Sequence, residues 1–202
     1  MRILKIVFTL VVTLSSAWIN AADEYLEGVH YRIIGPELDN KPMVEEFFNY
    51  GCGACYNYES FVAKLKSKTP GLEFKLIPVE LNPSWSVYVK AYLVAEKMGI
   101  LDKTHDKLFH RIHVKRNYLN SDDELKQFFL EAGANEKEFD DLIKSYWLKT
   151  QMRVAKQTAL KSKVTSTPTF VVNKRYLLLN QGFKSIEEME KAIINLSGIN
   201  KK

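Results

Sequence analysis

The chain has 202 residues, 46% of them hydrophobic and 12% aromatic, with a formal net charge of +5. That size suits one domain, or one domain with a large insertion, and the apolar content is enough to build a core; no low-complexity, Pro/Gly-rich or solenoid-repeat pattern argues for a disordered chain or a repeat array. Basic residues alternate with acidic ones, as in EEMEKA and DDELKQ, which reads as a solvated face and gives no indication of a nucleic-acid partner.

In chain order, residues 1–22 place Arg2 and Lys5 ahead of an apolar run from Ile6 to Leu14 and then small residues, the layout of a cleavable secretory signal peptide. The run is shorter than the roughly 20 residues that a membrane span requires. Export would also change the meaning of cysteine, because disulfides persist in the bacterial periplasm and are rare in the cytosol.

VHYRII, Val29 to Ile34, has the β-branched and aromatic content of a short strand ended by Gly35-Pro36. Met43 to Tyr50 predicts a second strand, apolar enough to be central, which Gly51 stops. From Cys52 the period changes: Tyr58, Phe61, Val62 and Leu65 form a helical stripe ended by Thr69-Pro70-Gly71. Phe74 to Leu81 reads as a third strand.

Ser84 to Lys163 then carries helical signals only: one helix closed by Gly99, a second over KTHDKLFHRIH, and a third with a capping box at Ser121 and Glu124, ended by Gly133. A further helix starting at Asn135, with Glu138, is long enough to kink or divide. Strand signals return at Pro168 to Asn173 and Arg175 to Asn180, spaced as a hairpin. The last helix has a capping box at Ser185 and Glu188 and carries Ile186, Met189, Ile193 and Leu196 on one side. The order β, βαβ, helical insert, ββα predicts an α/β fold.

The only cysteines, Cys52 and Cys55, stand three positions apart in FFNYGCGACYNYESF. As a structural clamp they would close a minimal loop, and a disulfide stabilises less as its loop shortens. As half of a zinc site they would need His110 and His113 of HRIH, whose spacing is tighter than usual and whose tract reads as an amphipathic helix with surface histidines. As a redox pair they fit in position too. Cys52 sits where a strand turns into a helix, at the positive end of the macrodipole that favours a thiolate, while Cys55 is one turn further in and less exposed. Tyr50, Tyr56 and Tyr58 nearby either line an apolar peptide groove or belong to the core and helix surface.

The strand ending EEFFNYG, the CGAC at a helix start, the large helical insert and Thr167-Pro168 just before a strand together resemble the thioredoxin-fold disulfide oxidoreductases, most of all the periplasmic DsbA family. The resemblance implies a thioredoxin-like domain from residues 23–83 and 164–202, interrupted by an inserted helical domain, 84–163. It implies thiol-disulfide exchange at Cys52 and Cys55 across the dipeptide Gly53-Ala54. Glu46, six residues before Cys52, matches a buried acid that influences proton transfer, and Glu45 beside it is expected to face solvent. Pro168, preceded by Thr167, matches a cis-proline loop that presents backbone to substrate.

No metal or diffusible cofactor is expected, because both redox equivalents reside in the two sulfurs. The implied partners are unfolded exported proteins with free thiols and a DsbB-like, quinone-linked membrane oxidase; a periplasmic monomer is expected. Two departures matter. The best-known oxidase of the family has Pro-His between its cysteines, whereas Gly53-Ala54 offers no side-chain donor, so a weaker oxidant is expected. Thr167 stands where that oxidase has Val and where the isomerase families DsbC and DsbG have Thr. Those isomerases are dimers with a separate N-terminal dimerisation domain, for which the segment between Ala22 and Val29 has no room. Disulfide introduction is therefore preferred over isomerisation or reduction, and a non-catalytic, chaperone-like peptide-binding module is the remaining alternative.

Overall fold

The computed structural model describes residues 24–36 and 41–199, and the predicted signal segment lies outside them. Strands β1 (Tyr31–Ile33), β2 (Met43–Phe48), β3 (Glu73–Pro78), β4 (Thr169–Val172) and β5 (Tyr176–Leu178) form one sheet in the order β1-β5-β4-β2-β3. β2 and β3 are parallel, with α1 (Gly53–Lys68) as the crossover that a parallel pair requires. The remaining neighbours pair antiparallel.

Between β4 and β5 the Arg175 amide donates to the Val172 carbonyl, and Asn173 and Lys174 both have positive φ, +52° and +55°. That is the mirror-image turn whose twist suits a hairpin. Asn173 also ties three elements together: its side-chain oxygen accepts the Met43 amide, and its nitrogen donates to the carbonyls of Leu196 and Ser197.

The insert consists of α2 (Ser86–Lys97), α3 (Leu101–His113), α4 (Asp122–Glu131), α5 (Glu136–Ile143) and α6 (Tyr146–Lys161), and α7 (Ile186–Ser197) closes the chain. The caps expected at Ser121, Asn135 and Ser185 are present, each side chain accepting an amide three residues on. The long tract after Asn135 divides at Ser145, because the Ser145 hydroxyl caps a new helix through the Leu148 amide. Among the described residues no helix is long and apolar enough to cross a membrane.

The two faces of the sheet are covered differently. Val44, Phe170, Val172 and Leu178 pack with Phe61, Val62 and Leu65 of α1 and Met189 and Ile193 of α7. On the other face, Phe47, Ile77, Val171 and Leu177 meet Ala155 and Ala159 of α6. A third cluster joins Phe48, Tyr50 and both cysteines to the apolar faces of α2, α3, α4 and α5. The site therefore sits where the sheet's end meets the insert.

This double cover corrects one expectation. Glu45 does not face solvent; it is 3% exposed, because the strand face it shares with Phe47 lies under α6. Burial raises its pKa, which Lys174 and Lys75 partly offset.

Candidate active site

The turn from β2 into α1 is built by Asn49. Its side-chain oxygen accepts the Gly51 amide at 2.8 Å, its nitrogen donates to the Val79 carbonyl at 2.8 Å, and its carbonyl accepts the Cys52 amide at 3.0 Å. An Asx turn of this kind lets a strand reverse direction without leaving buried polar groups unpaired. Gly51 has no room for a side chain: a Cβ there would lie 2.9 Å from Trp85 Nε1 and 3.1 Å from Tyr88 Cε2.

Cys52 is the N-cap of α1, extended at φ −88° and ψ 110°, and its sulfur accepts the Cys55 amide at 3.2 Å. The sulfur thus does what a serine or aspartate oxygen does at ordinary helix starts. Hydrogen bonding from the Cys55 side chain, then from the Thr167 side chain and the Cys55 and Ala54 amides, outweighs desolvation and lowers the Cys52 thiol to about 6. Cys55, fully buried, goes the other way: burial, followed by its contacts with Cys52, holds its thiol far above the ordinary cysteine range. The buried site keeps the two sulfurs chemically unequal.

The facing wall comes from the far end of the chain. The Thr167-Pro168 peptide bond is cis, and the Thr167 carbonyl accepts the Cys52 thiol at 3.4 Å. Asn180 Nδ2 donates to the Pro168 carbonyl at 2.8 Å, and the Thr169 hydroxyl donates to the Ser166 carbonyl at 2.7 Å. These two bonds hold the loop at both ends.

Glu46, on the β2 face shared with Phe48, is 1% exposed and neither carboxyl oxygen has a hydrogen-bond partner among the described residues. Burial, with the nearby Glu59 charge, raises its pKa to about 8, so at neutral pH it holds its proton. Gly53 and Ala54 are exposed.

Of the two readings given to the nearby tyrosines, the core one describes Tyr50. Tyr50 is a core residue and not a groove wall: its hydroxyl pairs with His105 Nδ1 at 2.8 Å, and His105 Nε2 donates to Glu59 at 3.1 Å. Tyr58 packs against Phe61 and Phe170, and Tyr56 is half-buried beneath His113. His113 is likewise no plain surface residue, since its Nε2 donates to the Tyr50 carbonyl at 2.8 Å; His110 is exposed. The zinc reading needed both histidines beside both cysteines, and they are not gathered that way. Among the described residues the side chains near enough to share a cation are Glu59, His105 and Asp106.

A family model for the DSBA-like thioredoxin domain matches residues 43–194. The chain belongs to the DsbA family. The thiol:disulfide interchange protein DsbA of Pseudomonas aeruginosa is 31% identical over 160 residues, spanning 77% of this chain and 76% of that protein. The protein of the same name from Azotobacter vinelandii is 30% identical over 166 residues, 81% of this chain and 76% of that one. A crystal structure of Pseudomonas aeruginosa DsbA superposes with a TM-score of 0.77 at 29% identity, covering 90% of this chain and 99% of the other. The thioredoxin-like fold with its helical insertion is thus shared with DsbA along nearly the whole described chain.

Sequence reasoning named both cysteines, the acid and the proline, weighed His113 only as a zinc ligand or a surface histidine, and missed Asn49, Trp85, His105 and Asn180. Asn49 had a local signal, a turn-forming residue just before Tyr-Gly at a strand end. The other three come from other segments of the chain, and nothing around them in sequence marks them.

Proposed function

We propose that the protein is a periplasmic thiol:disulfide oxidoreductase that introduces disulfides into exported proteins by exchange with its own Cys52–Cys55 disulfide. The observation that carries this reading is the inequality of the sulfurs, with the Cys52 thiol lowered to about 6 and the buried Cys55 thiol raised. A substrate thiolate attacks the Cys52 sulfur; the bond between the two enzyme sulfurs breaks and Cys55 leaves with the electron pair. Cys55 then takes up a proton, and the store assigned to it is Glu46, which is protonated at neutral pH and close enough to the site to sense Cys52.

A second substrate thiolate attacks the substrate sulfur of the mixed disulfide, and Cys52 leaves as a stabilised thiolate. The net change converts two substrate thiols into a disulfide and the enzyme disulfide into a dithiol. Thr167 and Pro168 form the wall along which a substrate backbone lies. A DsbB-like, quinone-linked membrane oxidase would restore the disulfide. The enzyme acts as a monomer in the periplasm, exported by residues 1–22, with residues 23–83 and 164–202 forming the redox domain and 84–163 its insert.

Single substitutions test the assignment. Offered a peptide that itself contains a disulfide, Cys55→Ser should attack it through the Cys52 thiolate, release one peptide thiol and retain the other half as a mixed disulfide that no resolving cysteine breaks, whereas Cys52→Ser should not capture it; capture by the Cys52→Ser protein would remove Cys52 from its role. Trapping thiols in living cells tests the direction. Cys52 and Cys55 found mainly oxidised agree with disulfide introduction, and a mainly reduced pair would favour a reductase or isomerase.

A further inference from the structure

An imidazole reaches the CGAC turn from outside it. α3 ends at His113, whose ring lies on Tyr56 of α1 with planes 15° apart and centroids 5.2 Å apart, and Phe109 flanks it at 6.0 Å. The Tyr50 carbonyl can only accept, so Nε2 carries the hydrogen of the 2.8 Å bond between them. That bond fixes the tautomer and the plane of the ring. In the neutral ring it leaves the lone pair on Nδ1, and no described group pairs with that atom.

The free edge of the ring points at the active-site dipeptide. Nδ1 and Cε1 both lie 3.9 Å from where a Cβ on Gly53 would stand, which is ordinary van der Waals distance over the first residue of α1. Gly53 and Ala54 bring no polar side chain of their own. The small dipeptide leaves open the space into which the insert delivers the ring.

We infer that His113 is a positioning residue for the exchange reaction, holding the turn that carries Cys52 through its Nε2 bond to the Tyr50 carbonyl and packing its free edge over Gly53. This rests on the proposed exchange activity. The turn it grips is short: the Tyr50 carbonyl bonded by His113 precedes Gly51, and the next residue is the N-cap cysteine. The Cys52 sulfur accepts the Cys55 amide only while that turn keeps its shape, so a loosened turn costs the dithiol form, whose sulfur is anionic, more than the disulfide, whose sulfur is neutral.

Three proteins test the grip on the turn: the native chain, His113→Ala and His113→Gln. Gln can still donate to the Tyr50 carbonyl and Ala cannot. Thiolate absorbance against pH and equilibration with glutathione are measured on each, with thermal unfolding as the check on folding. Ala is expected to raise the Cys52 midpoint and to lower the equilibrium constant for oxidising glutathione by about 3- to 10-fold, or about 15–30 mV, while Gln stays within about 2-fold of the native chain. An Ala variant indistinguishable from native in both redox readouts would overturn the inference, and a Gln variant as impaired as Ala would overturn the hydrogen bond as its cause.

If the variants fold poorly, the native protein gives the answer. The Nε2 proton of His113, held by the Tyr50 carbonyl, should give a resonance that is protected from solvent exchange and shifts between the oxidised and reduced forms, and a resonance unprotected or identical in both forms would overturn the inference. A native chain without exchange activity sinks the proposed function, whereas an active native chain with unchanged variants sinks only the role of His113.

Discussion

At the scale of single residues, the site depends on groups whose protonation the fold has displaced. Glu46 gives the largest consequence for stability. Its carboxyl ionises near 4.5 when unfolded and near 8 in the native site, where burial is the first cause and Glu59 the second. Between those values the native state keeps a proton that the unfolded chain has released. Stability is therefore highest below the unfolded value, falls as pH rises, and levels off above about 8. At pH 7 the ionisable group costs on the order of 3 kcal/mol. Glu46→Gln removes that pH dependence, so denaturant unfolding should show its advantage over the native chain to be small near pH 5 and greatest near pH 8. A constant difference across that range would mean that Glu46 titrates normally. On the proposed role of Glu46 as proton store, the same substitution should slow exchange; exchange at the native rate would leave the acid with an effect on stability alone.

At the scale of elements, the reactive sulfur is placed by a turn that tolerates almost no added volume. A methyl group on Gly51 would press on Trp85 Nε1 at 2.9 Å, Tyr88 Cε2 at 3.1 Å and Asn49 Oδ1 at 3.2 Å, and the first two belong to well-packed rings at the edge of the insert. Gly51→Ala is expected to cost about 1–3 kcal/mol by overpacking and to raise the Cys52 thiol toward its ordinary value, because the N-cap sulfur moves away from the Cys55 amide. Gly53→Ala meets nothing nearer than His113 at 3.9 Å and should unfold close to the native chain. Equal losses at the two glycines would show that helix-start chemistry, and not the close approach at Gly51, sets the cost. The contrast also marks how far the chain could be read before folding. Capping pairs, stripe periods and the hairpin are local, so Ser121, Asn135, Ser185 and the strand of Glu46 were legible with their roles in the fold. Glu45 was misplaced because alternation assigns a face to solvent, and whether a helix covers that face is decided by α6, more than a hundred residues away. His113 acts 63 residues from Tyr50, Asn180 12 residues from Pro168 and Trp85 36 residues from Asn49, and no period in a single sequence links such partners.

At the scale of the whole molecule, an oxidant must be less stable in its disulfide form than in its dithiol form. The short loop from Cys52 to Cys55 makes this possible, because closing it constrains the unfolded chain very little. The dithiol form meanwhile gains from the Cys52 thiolate. Its thiol lies near 6 when folded against 9.0 when unfolded, so the gain is fully present above the unfolded value and is lost as pH falls through about 6. The reduced protein should therefore unfold at a higher temperature than the oxidised protein at pH 8, and the gap should narrow toward pH 5. A midpoint near 6 also falls between the roughly 7 of thioredoxin and roughly 3.5 of the Pro-His-containing DsbA. The potential is then expected between their values of about −270 and about −120 mV, nearer the first. Ala54→His, which adds an imidazole between the sulfurs, should raise the potential and widen the gap in unfolding temperature together, because both report the same thiolate. A potential that rose without the gap widening would mean that the disulfide form had changed instead, and an oxidised protein more heat-stable than the reduced one at pH 8 would rule out strongly oxidising chemistry at this site.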